Sequence, residues 1–488
     1  MAPEGVRIRP IGSRAQSYTF AMEPISAVRT TGIYCRPGCG ARPNRENVVK
    51  FGTAAAAEAA GFRACLRCRP YRSAPLVPWS APELVCRAVR MILDGALDTG
   101  TETTLGARVG VSARHLRRLF RAHLGVTPDA LARSARTHFA RRLLDDTDLT
   151  ILEIAYAAGF GSVRQFNRAC REIFRASPSE LRSRRHRKDR LVADGGLPVR
   201  LAYHGALDWP AICSFLAARA IPGVESVSSD TYRRTVTVRG NPGVLELGPG
   251  ADGELFLVVH LPYWEELIHV VERARRIAGL DLDVDEASRH LARDRIIGRL
   301  VRARPGIRVP GTWDPFEIGV RAIVGQQVSA RGANRHVSRL VERFGTPVGG
   351  LSQLGLSATF PSSTRLAEAD LDGVGLPTVR AMAVSAFARA VADDEIRLDG
   401  SVSLDELVAS MTAIPGIGEW TANYVALRLG ERDAFPSTDL GLRRTLEPYT
   451  RRRATDLAER WRPWRALAVT HVWLSSAPQA DVGARSVA

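Results

Sequence analysis

The sequence predicts a multidomain chain, mainly α-helical with an α+β portion, and three observations carry that expectation. Length is the first: 488 residues with 45% hydrophobic content suit three or four domains of about 150 residues, each able to bury its own core. Charge is the second. Residues 1–190 hold 33 Lys+Arg against 16 Asp+Glu, whereas residues 191–488 hold 35 against 35, so the whole net charge of +17 lies in the front part. The third is a change of periodicity, from helical spacing to alternation between residues 235 and 261 and back to helical spacing. With the motifs described below, the expected domains are a small metal-binding domain (20–72), a tandem helix-turn-helix domain (80–188), an antiparallel α+β domain (195–309) and a helical domain (310–478).

Basic charge concentrated in this way points to a polyanionic partner, with double-stranded DNA the first choice. The first twenty residues carry arginines and prolines without an apolar core, and no run approaches the ~18 apolar residues of a membrane span. A cytoplasmic protein with no membrane partner is therefore expected.

Four of the seven cysteines, Cys35, Cys39, Cys65 and Cys68, form a C-x3-C…C-x2-C cluster, and Cys86, Cys170 and Cys213 stand alone. Without an export signal the cluster reads as a metal site rather than as disulfides, and the other three read as buried thiols. Four sulfurs arranged tetrahedrally favour one Zn2+. On spacing alone a purely structural zinc knuckle is the plainer choice. The segments Arg29-Thr30-Thr31-Gly32-Ile33-Tyr34-Cys35-Arg36-Pro37-Gly38-Cys39, Arg45-Glu46-Asn47-Val48 and Gly61-Phe62-Arg63, with Cys65 and Arg67-Cys68, resemble the metal-binding domain of the Ada methylation-response family. The resemblance implies that Cys35 is both zinc ligand and acceptor of a methyl group from a DNA phosphotriester. Residues 1–28 lack the helix and acidic-glycine turn that usually precede this segment in the family.

Pro70, Pro75, Pro78 and Pro82 mark a stiff linker. Beyond it the chain repeats itself: Ser112 lies 16 residues before Pro128, and Ser162 lies 16 before Pro178. In the first copy Leu105, Val109, Leu116, Phe120 and Leu124 make an apolar face, with Gly110 in the turn and Ser112 as helix cap. The second copy uses Ile151, Ile154, Ala155, Phe160, Phe166 and Phe174, with Gly159 in the turn and Ser162 as cap. Each pair of helices forms a helix-turn-helix whose second helix enters the major groove. The exposed faces would carry Arg114, His115, Arg117 and Arg118 in one copy and Arg164, Gln165 and Arg168 in the other. A helical bundle with a solvated arginine face is the bland alternative. The tandem arrangement, followed by Arg182, Arg184, Arg185, Arg187 and Lys188, resembles the AraC-type DNA-binding domain. That likeness implies promoter DNA as ligand, and the regulator reading adds RNA polymerase as a partner. The Pro-Cys-His-Arg segment of the Ada family's second methyltransferase module does not occur in the chain, so repair of O6-alkylguanine is not expected.

Alternation in Thr235–Val238, Val244–Leu247 and Leu255–Leu261 predicts antiparallel strands, and the segments 208–218 and 263–277 predict helices. With Phe215-Leu216-Ala217-Ala218-Arg219-Ala220, this region resembles the N-terminal domain of the 3-methyladenine DNA glycosylase II (AlkA) family. Its expected task is to brace the helical domain behind it.

The most informative stretch runs from Ile414 to Asp439. Thr421, Ala422, Val425, Ala426 and Leu429 recur at helical spacing, so a helix is expected just after Gly418, with Pro415, Gly416 and Gly418 in a tight turn before it. Bare amides at such a helix start suit a DNA phosphate. An ordinary interhelical turn would account equally well for Pro-Gly-Ile-Gly alone. Pro415–Gly418, Trp420–Tyr424 and the later Pro436 and Asp439 resemble the helix-hairpin-helix glycosylase superfamily, in its AlkA branch. The resemblance implies that Asp439 is the catalytic carboxylate, that Trp420, Tyr424 and Trp473 line the base pocket, and that Gln326 and Gln327 face the DNA. Gln327 stands where well-known members insert a leucine into the duplex. Asp439 could instead simply cap the segment from Leu440, and each aromatic could be plain core.

Electron-rich ring faces attract a cationic alkylated purine. Residues 189–488 contain no lysine, so no Schiff base can form and monofunctional base removal is expected. No cysteine follows Cys213, which excludes an iron–sulfur cluster. The expected protein couples a DNA-3-methyladenine glycosylase to a methyl-accepting regulator half. Two rivals remain: a transcription factor with an inert glycosylase-like half, and a repair enzyme whose front half only tethers it to DNA.

Overall fold

A computed structural model describes residues 24–73, 79, 81–186, 189–193, 195–251, 253–328, 330–446 and 454–476. The metal-binding region is a four-stranded sheet in the order β3-β1-β2-β4, made from β1 (Ile25–Val28), β2 (Ile33–Cys35), β3 (Val48–Phe51) and β4 (Arg63–Ala64), with helix α1 (Ala54–Ala59) beside it. β2 and β4 run parallel with Tyr34 opposite Ala64, so the chain emerges from both strands at Cys35 and Cys65 on one edge. The expected linker is partly a packed element. Pro70 and Tyr71 are buried in a 3-10 turn and Trp79 is buried too, while residues 74–78 lie outside the described residues.

Seven helices follow: α2 (Glu83–Leu93), α3 (Glu102–Arg108), α4 (Ala113–Leu124), α5 (Pro128–Asp146), α6 (Ile151–Ala157), α7 (Val163–Phe174) and α8 (Pro178–Ser183). The duplication is real in three dimensions. Ser112 accepts from the His115 N–H and Ser162 from the Gln165 N–H, while Gly110 and Gly159 take φ +79° and +77° in the two turns. Leu105, Leu116 and Phe120 in one unit, and Ile154, Ala155 and Phe166 in the other, are fully buried.

The next region is a five-stranded antiparallel sheet, β5 (Leu197–Ala202), β6 (Glu225–Ser228), β7 (Thr231–Val238), β8 (Asn241–Pro249) and β9 (Glu254–His260), in the order β5-β9-β8-β7-β6. Helices α9 (Trp209–Ala217) and α10 (Leu267–Ile277) accompany it. The edge strands β5 and β6 escape the periodicity test because their burial does not alternate cleanly.

The remainder is helical: α11 (Val284–Leu291), α12 (Ile297–Ala303), α13 (Pro315–Val324), α14 (Ala330–Phe344), a two-stranded pair β10 (Thr346–Pro347) and β11 (Ala358–Thr359), α15 (Ser363–Ala367), α16 (Thr378–Ala392), α17 (Leu404–Thr412), α18 (Glu419–Arg428), α19 (Leu440–Leu446), α20 (Ala454–Ala458) and α21 (Arg465–Ser476). Ala287, Leu291, Ile297 and Val301 share a core with Leu467 and Val472 of α21, so α11 and α12 pack with this helical region although they precede residue 310.

Two hydrophobic cores run through the molecule, and both cross domain divisions. One joins Val85, Leu105 and Phe120 of the first helix-turn-helix unit to Ile323, Phe387, Val425 and Leu467 of the helical region. The other joins Tyr34 and Phe62 near the cysteines to Phe166 and Phe174 of the second unit and to Leu245, Leu257 and Val270 of the sheet and its helix. Ionic contacts reinforce the junctions: Arg276 pairs with Asp94, Arg200 with Asp146 at 2.9 Å, and His269 bridges Leu93 O and Asp98 Oδ2 at 2.7 and 2.6 Å. Among the described residues no helix is long and apolar enough to cross a membrane.

Candidate active site and metal centre

Helices α17 and α18 form a hairpin about Pro415–Gly418. Ile414 and Ile417 point into the core and anchor the turn, leaving Pro415, Gly416 and Gly418 at the surface. Gly416 has φ +91°, a conformation costly for residues with a Cβ, and the position of a Cβ at Gly418 faces open space. Gln326 is half-buried and donates to Gly416 O at 3.0 Å and Thr421 Oγ1 at 2.9 Å, fastening the hairpin to the end of α13. Gln327, next to it, is exposed and left-handed at φ +55°.

Helix α18 presents Trp420 and Tyr424 one turn apart, with rings stacked at 5.3 Å and 6°. Trp473 of α21 closes on Tyr424 from the side, at 6.0 Å and 51°. Asp439 stands at the start of α19, where it caps that helix and also faces the aromatic side chains. Its Oδ1 accepts the Leu442 N–H at 2.7 Å, a helix cap, and also the Trp473 indole N–H at 3.1 Å; its Oδ2 accepts the Trp420 indole N–H at 2.9 Å. Three fixed donors therefore orient one half-buried carboxylate beside three aromatic rings. Asp433 is engaged elsewhere, in ion pairs with Arg465 at 2.9 Å and with Arg462.

Two participants were missed from the sequence. Arg428, one turn beyond Tyr424, donates to the Tyr424 hydroxyl at 3.0 Å and to Pro310 O and Gly311 O at 2.7 Å each. Arg219, which lies over Phe215 at 3.8 Å, comes from the α+β region. Burial would raise the Tyr424 phenol, but these arginines overcome it and bring its pKa down to about 8. The i, i+4 spacing of Tyr424 and Arg428 was the available signal; nothing local marks Arg219.

The four sulfurs of Cys35, Cys39, Cys65 and Cys68 lie within 4.8 Å of one another. Burial pushes the Cys35 thiol well above its ordinary value, and the nearby Cys68 and Cys65 sulfurs add to that. Cys68 is pushed up to about 11, chiefly by burial. Burial also raises Cys65, but N–H donors from Cys68 and Arg67 outweigh it. Such crowding suits four thiolates only with a cation among them, so this donor set fits zinc. Cys35 is the most enclosed of the four at 7% exposure. Beside it Tyr34 donates to Glu58 Oε1 at 2.6 Å, and His138 of α5 meets the same oxygen at 2.6 Å, tying the cluster to the helix between the two helix-turn-helix units.

Arg114, Arg117 and Arg118 on α4 and Arg164, Gln165 and Arg168 on α7 are all exposed. Arg117 pairs with Glu102, Arg118 meets His115 Nδ1 at 3.0 Å, and Arg168 reaches Glu172 at 2.9 Å; Arg114, Arg164 and Gln165 lie on the same helices at their N-terminal ends. Cys86, Cys170 and Cys213 are buried, with thiols raised by burial to about 11, 12 and 12. A cavity of about 510 Å³ lies away from Asp439 where α2, α10 and the helical region meet.

Three family models match: the metal binding domain of Ada over residues 14–71, a helix-turn-helix domain over 105–184, and the AlkA N-terminal domain over 198–314. A Mycobacterium tuberculosis protein named as a probable bifunctional transcriptional activator/DNA repair enzyme AlkA is 38% identical over 458 residues, 92% of each chain. The DNA-3-methyladenine glycosylase 2 of Escherichia coli K12 is 33% identical over 278 residues, 56% of this chain and 96% of its own. The structure of a 3-methyladenine DNA-glycosylase from Archaeoglobus fulgidus superposes with a TM-score of 0.51 at 23% identity, covering 57% of this chain and 98% of that one, a likeness of fold.

Proposed function

The chain belongs to the family of bifunctional transcriptional activator/DNA repair enzymes of the AlkA type, and from that premise we propose that its helical half hydrolyses the N-glycosidic bond of alkylated purines such as 3-methyladenine. The observation that carries this is Asp439, a carboxylate held by the indole N–H groups of Trp420 and Trp473 beside the stacked Trp420 and Tyr424 rings. A flipped, positively charged base enters against those electron-rich faces. Breakage of the bond to C1′ sends its electron pair to the base, which leaves neutral. The sugar becomes an oxocarbenium ion, and water then attacks C1′. Asp439 needs no protonation of the leaving group. Its negative charge stabilises the sugar cation and helps orient or deprotonate the water. Without a lysine in this half the product is an abasic site in an uncut strand.

The test is Asp439→Asn, which keeps shape and capping ability. Release of 3-methyladenine from methylated DNA should fall by about 10²-fold or more. DNA affinity should hold or tighten, because a negative charge near phosphates is gone. Near wild-type release by this variant, or loss of activity in Asp433→Asn instead, would overturn the assignment.

For the front half the cysteine cluster supports one bound Zn2+, held by Cys35, Cys39, Cys65 and Cys68, and a methyl-accepting regulator. Bound zinc would supply the charge that keeps the four sulfurs as thiolates at neutral pH. Cys35 then attacks the methyl carbon of a phosphotriester: the S–C bond forms, the C–O bond breaks, and the electron pair stays on phosphate oxygen. The thioether product is one unit less negative, which lowers repulsion from DNA and favours promoter binding by α4 and α7 and recruitment of RNA polymerase. Mass spectrometry after exposure to methylated DNA should find one added methyl on the Cys35 peptide; a methyl elsewhere, or none, would leave the front half purely structural.

A further inference from the structure

Two side chains of the front half reach the two turns from which the base pocket hangs. Arg90, on the last turn of α2, donates to Gly430 O at 3.0 Å and Leu429 O at 3.4 Å and pairs with Glu431. Leu429 is the C-cap of α18 and Gly430 follows it in the left-handed conformation at φ +90°. These are the carbonyls a helix leaves without partners of its own at its C-terminus, where a cation is also favoured by the helix dipole. A guanidinium from another domain thus caps the helix that carries Trp420 and Tyr424, and grips the first residues of the loop leading to Asp439.

Trp79 does the equivalent for α21. Its indole N–H donates to Asp281 O at 2.9 Å, and its ring meets Trp464 edge-on at 6.5 Å and 73°. Trp464 directly precedes α21, its carbonyl accepting the Ala468 N–H. The Arg432 guanidinium lies over both rings, at 5.6 Å from Trp79 and 5.4 Å from Trp464. Helix α21 carries Trp473, the other indole that holds Asp439. Trp79, Arg90 and Glu431 are each only 8% exposed, so these contacts are largely withdrawn from bulk water although they border the cavity of about 510 Å³, and a pair there counts for more than at the surface. Arg87 of α2 adds a 2.6 Å bond to Ser401 O, just ahead of α17 and the hairpin.

We propose that Arg90 and Trp79 are positioning residues for base excision: the docked front half completes the support of the glycosylase pocket, so the two halves are coupled mechanically as well as joined in sequence. This rests on the glycosylase reading above. A displacement of α2 is transmitted to α18 and the Asp439 loop without any contact between α2 and the substrate.

Single-turnover base release by the full chain tests it, with the rate constant separated from the fraction of active protein. Arg90→Met should lower the rate constant by about tenfold, given that sub-ångström to 1 Å misplacement of catalytic groups is felt at this scale. Substrate affinity should stay within about twofold, because α2 lies behind the pocket. A role in folding alone would reduce the active fraction and leave the rate constant unchanged. Arg90→Lys keeps a cation and N–H donors for the Leu429 and Gly430 carbonyls and should recover most of the rate. A rate constant for Arg90→Met equal to wild type overturns the proposal, as does a folded Arg90→Lys variant no faster than Arg90→Met. Absence of base release by the wild-type chain would instead overturn the glycosylase reading.

Discussion

The cysteine cluster and the Asp439 pocket are each assembled from a handful of side chains, over very different spans of chain. Cys35 and Cys65 emerge from paired strands whose register, Tyr34 against Ala64, is set within one small sheet, and Cys39 and Cys68 follow each within a single turn. Asp439 depends on Trp420 and Trp473 from two helices, on Arg428 and Arg219 behind Tyr424, and through Arg90 and Trp79 on the other half of the protein. The cluster should be damaged chiefly from nearby, whereas the pocket should be open to damage at a distance.

The largest effect expected is on the cluster. Cys65→Ser with Cys68→Ser should take the metal from one per chain to none, with hydrogen exchange rising across Ile25–Arg72, since structural zinc contributes on the order of 10 kcal/mol to small domains. Zinc retained by that variant would break the contrast, because the site would then not be the local four-sulfur cage. A smaller effect is expected at the pocket. Trp473→Phe keeps an aromatic ring but removes one donor to Asp439, and base release should fall about tenfold with substrate affinity little changed. An unchanged rate would mean that the two indoles do not orient the carboxylate.

The smallest effect is a titration. Tyr424, at about 8, should be the first phenol to ionise on raising the pH, visible in the ultraviolet, and Arg428→Met should move it back up. The sign for stability follows from a folded value below the ordinary 10.0. The contribution is fully present above about pH 10, shrinks between there and pH 8, and is absent below, on the order of 2 kcal/mol in all. Coincident titration of all phenols would show that Arg219 and Arg428 do not act on Tyr424.

The sequence by itself determined whatever depends on short-range order. Cysteine spacing marked the four-sulfur cluster, Ser112 and Ser162 with their following helices marked the two helix-turn-helix units, and glycines before Trp420 marked the hairpin. In each the partners lie within a turn or one strand pairing, so residue type and spacing are close to the physical cause. Tertiary structure alone decided the rest. That Gln326 fastens the hairpin while Gln327 projects, that Asp433 is tied to Arg462 and Arg465 and so leaves Asp439 as the carboxylate of the pocket, and that a proline-marked linker delivers Trp79 onto Trp464 are facts about residues far apart in sequence. The reason lies in burial. A salt bridge such as Arg90 with Glu431, or a guanidinium between two tryptophans, gains its strength only when water is excluded by surfaces that other segments supply, and a list of residues does not show which surfaces will meet.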